Sequence, residues 1–394
     1  MIGLFIVIYS IPISVKIALE KKLFDDPNSR RVNKVPVPNL GGVSLFIGIS
    51  LATLIGILQN SFPEFRYIMI STIILLFIGI MDDLLVISAR KKLLAQLVCA
   101  VIIVTLGGFQ FTNLHGIFGI FEINPIEGSG LSILAIVSII NAINLIDGLD
   151  GLAASFGILG SIVLGINFYL ADQVNFTILC AAIAGSLISF FIFNVFGKKN
   201  KIFMGDTGAM ILGFLLSALI IKFNEISING PGNMTSFSPV LTLSLIAIPL
   251  FDMIRLFFLR IRKSKSPFSA DMNHIHHKLL QFGYSHFAIT GAITLFNVIL
   301  LLLVTSLSTL NNNTLVLLII IMVSVFITFP FSTISDALVV KRTLKCINKN
   351  KNVQLSAANA DVSNDQNQRE IRKKEVHYDE KKWHNSQVVQ NSNP

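Results

Sequence analysis

Charge is what this sequence has least of. Only 13% of its 394 residues are Asp, Glu, Lys or Arg, against about 25% in soluble globular domains. With 53% apolar residues and a mean hydropathy of +0.72, this excludes an ordinary water-soluble enzyme and points to a bilayer. Cysteine is scarce too. Cys99, Cys180 and Cys346 share no paired or ligand-like spacing, which excludes a disulfide framework and a cysteine zinc site. The first apolar run has neither a basic flank nor a small-residue cleavage site, so it reads as a spanning helix rather than a removable signal. No internal repeat period stands out. The net charge of +9 is gathered in a few loops, and no nucleic-acid partner is expected.

What the chain does have is long apolar runs. Eleven approach the roughly 20 residues a span needs: residues 2–19, 43–58, 67–81, 93–107, 131–146, 152–170, 176–196, 208–223, 239–259, 287–306 and 314–333. The expected fold is an all-α polytopic membrane protein of about 11 transmembrane helices, with residues 1–335 as the membrane domain. Lys and Arg set its orientation. The loops after runs 1, 3, 7 and 9 hold sixteen of them, whereas the alternate loops hold little beyond Arg66 and Lys222. The basic side is therefore read as cytoplasmic, the N-terminus as outside and the C-terminus as inside. Residues 336–394 lose apolar periodicity, are rich in Asn, Gln, Asp, Glu, Lys and Ser, and read as a polar, disordered cytoplasmic tail.

One stretch stands out on this map: Asn141-Ala-Ile-Asn144-Leu-Ile-Asp147-Gly148-Leu-Asp150-Gly151. Polar side chains closing an apolar run are expensive in a membrane unless they are used. Asn141, Asn144 and Asp147 are spaced by three, on one face of a helix, and Asp150 continues that spacing beyond its end. Other carboxylates fall on the same side: Asp25 and Asp26 in the first basic loop, Asp82 and Asp83 ending run 3, Asp206 before run 8, and Asp271 in the last basic loop. Carboxylates among basic loops suit Mg²⁺ or Mn²⁺ and substrate phosphates. At a membrane surface this suggests phosphoryl transfer involving a lipid.

Plainer readings stand beside these. Asp82-Asp83 is also a helix terminus meeting water, although a carboxylate pair there is opposed by the helix dipole. Asp206 or Thr207 is good capping chemistry for the run from Ala209. His274-Ile-His276-His277 reads as a solvated loop, a metal site or, preferably, a phosphate-binding loop. Asp252 and Arg255 read as an i,i+3 ion pair.

Four motifs make the chain resemble the polyprenyl-phosphate N-acetylhexosamine-1-phosphate transferases: Asp25-Asp-Pro27-Asn28-Ser-Arg30 with Pro38-Asn-Leu-Gly41-Gly42, Gly79-Ile-Met-Asp82-Asp83, Asn141 to Gly151, and Phe203-Met-Gly-Asp206-Thr-Gly. The resemblance spans about residues 1–335. The His274-Ile-His276-His277 loop is similar to that of the bacterial branch using UDP-GlcNAc and undecaprenyl phosphate, and Lys34 matches a basic position of the family only loosely. The resemblance implies a multi-pass enzyme of the bacterial inner membrane that attaches GlcNAc-1-phosphate to undecaprenyl phosphate and releases UMP on the cytoplasmic face. It implies Mg²⁺, with Mn²⁺ as a substitute, at Asp206 with Asp82 and Asp83 beside it. It implies catalytic roles for Asp82, Asp83, Asp147 and Asp150, and substrate contacts for Asn144, Phe203, Arg255, His274, His276 and His277. UDP-GlcNAc, undecaprenyl phosphate and the bilayer are the expected partners, with a homodimer left open. The same chemistry on another UDP-N-acetylhexosamine or UDP-MurNAc-pentapeptide remains an alternative, and a secondary transporter is the rival from another class. Transporters place such polar groups near the bilayer midplane, whereas here they map to helix ends.

Overall fold

Each of the eleven expected apolar runs coincides with a helix over most of its length. A computed structural model describes residues 1–21, 37–57, 62–85, 87–228, 237–262, 264, 275, 279–280 and 283–332. Among them the helices are α1 (Ile2–Glu20), α2 (Gly41–Gly56), α3 (Pro63–Leu85), α4 (Ala89–Thr105), α5 (Pro125–Ile146), α6 (Leu152–Leu170), α7 (Val174–Phe191), α8 (Gly205–Ile226), α9 (Ser238–Arg262), α10 (His286–Ser306) and α11 (Asn312–Ser332). Eight of the helical spans among the described residues are long and apolar enough to cross a membrane; α2 and the Asn312–Thr328 part of α11 are shorter apolar helices. The chain is an all-α polytopic membrane protein.

The core forms around α8. Nearly all of its length from Thr207 to Asn224 is buried, and it packs on α2, α3, α5, α6 and α9. Such a helix is apolar on every side because it has no solvent face to present. Its neighbours are amphipathic only toward lipid, where Phe77 of α3 and Leu134 of α5 lie exposed. Gly213 allows a close approach, since a Cβ there would collide with the backbone of Ile140 on α5. The same holds where Gly79 of α3 meets Thr207.

Two features were not anticipated. Between α4 and α5 lies an antiparallel hairpin, β1 (Asn113–Ile117) and β2 (Ile120–Glu122). Its strands are too short for alternation to announce them. The other is a π-helical turn, Ile192–Phe196, that extends α7 and rotates Asn194 inward, where it is buried.

Candidate functional site

Four helix ends converge: the C-terminal ends of α3 and α5 and the N-terminal ends of α4 and α8. A short backbone ladder sets the start of α8. Phe203 N–H donates to Pro38 O at 2.9 Å, Gly41 N–H to Phe203 O at 3.0 Å and Gly42 N–H to Met204 O at 2.9 Å. The Pro38–Gly42 and Phe203–Gly205 motifs, far apart in sequence, are thus one structural unit. Gly42 is required because a Cβ would strike the backbone of Gly208.

Asp83 caps α8. Its carboxylate accepts from the backbone N–H of Asp206 (2.8 Å) and Thr207 (3.1 Å) and from Thr207 Oγ1 (2.6 Å). This overturns the expectation that Asp206 or Thr207 caps its own helix: α8 has no side-chain cap at its preceding residue, and the cap comes from α3. It also removes the electrostatic objection to a carboxylate at the end of α3. The unfavourable dipole of α3 is offset by the N–H groups and positive end of α8.

Asp82 points the other way. Its Oδ1 accepts from Ile87 N–H at 3.0 Å, and its Oδ2 from Lys92 Nζ at 2.6 Å. The same ammonium reaches Asp206 Oδ1 at 2.7 Å, and Asn144 Nδ2 donates to that oxygen at 2.5 Å. Lys92 therefore sits as a cation between two carboxylates from different helices. Asn141, one turn before Asn144, pairs with the buried Gln96 of α4 instead, with its Nδ2 donating to Gln96 Oε1 at 2.7 Å. The three-residue spacing of Asn141 and Asn144 holds, but it serves two neighbouring helices rather than one ligand.

Asp147 is the C-cap residue of α5, half-buried and without a hydrogen-bond partner among the described residues. Burial, followed by the negative charges of Asp206, Asp83 and Asp150, pushes its carboxyl well above the ordinary carboxylate range. Asp150 is paired: Lys201 Nζ donates to its Oδ2 at 2.7 Å, His286 Nδ1 lies 3.5 Å from the same oxygen, and Thr290 Oγ1 donates to its backbone carbonyl at 2.9 Å. The turn below it is fixed by Asn194, which accepts from Gly151 N–H at 2.6 Å and donates to Ile202 O at 2.8 Å. Gly151 adopts a left-handed φ of 78°, which a glycine accepts readily. The ring of Phe203 lies beside Lys201, with Nζ 5.8 Å from its centroid.

Asp252 and Arg255 form the expected ion pair at 2.8 Å, and Asp252 also accepts from Ile275 N–H at 3.4 Å. His274, His276 and His277 lie outside the described residues, as do the Asp25–Arg30 motif, Lys34, Asp271 and residues 336–394. Among the described residues no three Asp, Glu, His or Cys side chains are gathered closely enough to enclose a metal ion. The donor set nonetheless suits one. Asp82 and Asp206 already grip a cationic nitrogen from both sides, and their oxygens are of the hard type that Mg²⁺ and Mn²⁺ take.

Sequence reasoning passed over Lys92, Gln96, Lys201, Asn194 and His286. Lys92 reads in the sequence as loop charge, but helical phase marks it: it stands one turn before Gln96, on the face that continues to Cys99 and Ile103, all three buried.

Residues 65–224 match the family model of glycosyl transferase family 4. Among curated relatives, the undecaprenyl-phosphate alpha-N-acetylglucosaminyl 1-phosphate transferase of Salmonella typhi is 31% identical over 290 residues, covering 72% of this chain and 76% of the relative. The protein of the same name from Pasteurella multocida is 36% identical over 276 residues, covering 69% and 74%. That of Yersinia pestis is 28% identical over 278 residues, covering 68% and 73%.

Proposed function

This chain belongs to glycosyl transferase family 4, alongside the undecaprenyl-phosphate N-acetylglucosaminyl 1-phosphate transferases, and we propose that it transfers GlcNAc-1-phosphate from UDP-GlcNAc to undecaprenyl phosphate. A lipid phosphate oxygen attacks the β-phosphorus of UDP-GlcNAc. The bond from that phosphorus to the oxygen of UMP breaks, and undecaprenyl-pyrophosphoryl-GlcNAc is the product. The names of the relatives support donor and acceptor. The observation that carries the chemistry is the meeting of Asp82, Asp206, Lys92 and Asn144 at the ends of four helices, in a chain that otherwise has few charges. The gathering of Lys and Arg in the loops on that side supports a cytoplasmic location for the site.

Mg²⁺, or Mn²⁺ in its place, would be held by Asp206 and Asp82 and would supply charge neutralisation to the transferring phosphoryl group. Asp83 contributes indirectly, by fixing the first turn of α8 and with it Asp206. Asn144 orients the Asp206 carboxylate. Lys92 is placed to exchange its carboxylate partners for phosphate oxygens when substrate enters. No strong base is needed, since a phosphate monoester is already largely ionised near neutral pH; this favours an orienting role for Asp82 over proton removal. Asp150, held by Lys201, and Phe203 beside them form the side of the site suited to the nucleotide.

The deciding experiment is UMP release by purified protein with undecaprenyl phosphate, Mg²⁺ and UDP-GlcNAc, with UDP-MurNAc-pentapeptide as the competing donor. UMP and lipid-linked GlcNAc from the first donor alone are expected. Turnover only with the second would overturn the donor, and no turnover with either would overturn the reaction.

A further inference from the structure

The β1–β2 hairpin belongs to the opposite end of the molecule. α8 begins at Gly205, beside Asp206 of the site, and ends at Ile226; its 22 residues cover about 33 Å, close to the thickness of a bilayer's hydrocarbon core. The hairpin is fastened at that far end. Glu225 accepts from Thr112 N–H at 2.8 Å and from Thr112 Oγ1 at 2.7 Å, and His115 Nε2 lies 3.2 Å from Asn224 O. From α11, Asn312 Nδ2 donates to His115 O at 2.7 Å, and Asn313 Oδ1 accepts from Phe118 N–H at 2.7 Å. A hairpin held by side chains from two helices cannot drift away from the plane of the helix ends.

Its tip is apolar and faces outward. Phe118 is 79% exposed, Phe121 63% and Ile120 45%, and the only charged residue between Gly107 and Asn124 is Glu122. Phe118 also has a φ of 53°, a left-handed conformation that is strained for a bulky side chain. In water this arrangement would be unfavourable twice, once for the backbone and once for the ring. The apolar surface does not stop at the hairpin: Leu106 at the end of α4 is 61% exposed and Ile126 at the start of α5 is 83% exposed. Both belong to the lipid-facing sides of their helices.

We propose that the hairpin is an interfacial anchor, with Phe118 and Phe121 seated at the boundary between headgroups and acyl chains on the membrane face opposite the carboxylate cluster. The occupant of the apolar tip is lipid, because the tip is continuous with the lipid-facing belt, lies at the level where that belt ends, and carries aromatic rings of the kind concentrated at this boundary. Anchoring there fixes the hydrogen-bonded ends of α8 and α11 relative to the bilayer. It does not depend on which reaction the other end performs.

Tryptophan fluorescence tests it. In a Trp383→Phe background, Phe118→Trp is placed in lipid nanodiscs containing phosphatidylcholine brominated near the headgroup, with Phe77→Trp on α3 as the lipid-exposed reference and Phe121→Trp as a second reporter should the first variant fail to fold. The expected result is a clear loss of emission on bromination, larger than that of the mid-helix Phe77→Trp reference, together with weak quenching by iodide. Strong iodide quenching without bromolipid quenching would place the tip in water and overturn the proposal. Insensitivity to both would mean that protein covers the tip, and would overturn it equally.

Discussion

Lys92→Ala removes the one cation seen between Asp82 and Asp206, and its consequences can be worked from the distances. Two contacts at 2.6 and 2.7 Å each correspond to about 6 kcal/mol of gross attraction at an effective dielectric constant of about 20. Desolvation of the three groups takes back most of this, and the Asp206 side chain remains 36% exposed, so the net loss is about 2–3 kcal/mol. For a chain of this size that lowers the unfolding temperature by about 5 °C. The removed charge can be replaced. If Asp82 and Asp206 also hold a divalent cation, millimolar Mg²⁺ should restore most of the loss in Lys92→Ala while changing the wild type less, since the wild type already has a cation in place. Thermal unfolding in detergent with and without Mg²⁺ measures both effects. The variant should remain catalytically poor even when Mg²⁺ has restored its stability, because the ammonium placed for the substrate phosphates is gone. A Lys92→Ala protein whose stability responds to Mg²⁺ no more than the wild type's would refute the idea that lysine and metal share one pair of carboxylates.

Asp82→Asn and Asp206→Asn should each lower UMP release at least about a hundredfold, roughly 2.7 kcal/mol of transition-state stabilisation, in protein that still inserts and elutes as a single species. Asp83→Ala should behave differently, costing stability as well as activity. It strips two backbone N–H groups and the Thr207 hydroxyl of their acceptor, a loss of about 3 kcal/mol that a thermal melt would register, whereas Asp83→Asn retains part of the cap. For Asp147 the sign is fixed by its raised pKa: the folded protein keeps a proton that the unfolded chain releases, so the stability linked to this group is complete at acid pH and lost as pH rises through the folded value. Asp147→Asn should therefore equal the wild type in acid and exceed it in alkaline buffer without divalent cations, as a pH series of melts would reveal.

The sequence exposes this molecule unevenly, and the reasons are physical. Apolar runs announce helices because a bilayer demands them, so the runs at 152–170 and 287–306 differ from α6 and α10 by a residue at most. The chemical residues were legible because charge is rare here. In a chain with so few carboxylates, Asp82, Asp83, Asp147, Asp150 and Asp206 draw notice by type alone. What type does not disclose is direction. Adjacent Asp82 and Asp83 leave the end of α3 toward different partners, one toward Lys92 and the other onto the α8 backbone, and only the packing of α3 on α8 separates the two roles. Lys92 was hidden for the opposite reason: it stands directly after Arg90 and Lys91, and basic residues near helix ends are what membrane orientation requires anyway. The hairpin escaped because a three-residue strand leaves no periodicity.

The placement of α8 explains why the site carries an excess of negative charge. Its first-turn N–H groups start among packed helix ends, where a carboxylate from another helix accepts from them. That carboxylate is Asp83, and its charge is largely offset by the positive end of the α8 dipole. Two further carboxylates, Asp82 and Asp206, face the ammonium of Lys92, and Asp147 lies close enough to feel the charge of Asp206. Burial, and after it the negative charges of Asp206, Asp83 and Asp150, push the Asp147 carboxyl above the ordinary carboxylate range. Among the described residues this cluster sets two carboxylates against one ammonium. Asp82 and Asp206 would hold a divalent ion, which would offset their charge and leave Lys92 available to phosphate oxygens. If the site takes such an ion, metal and nucleotide pyrophosphate should bind cooperatively, because each compensates the charge that the other brings.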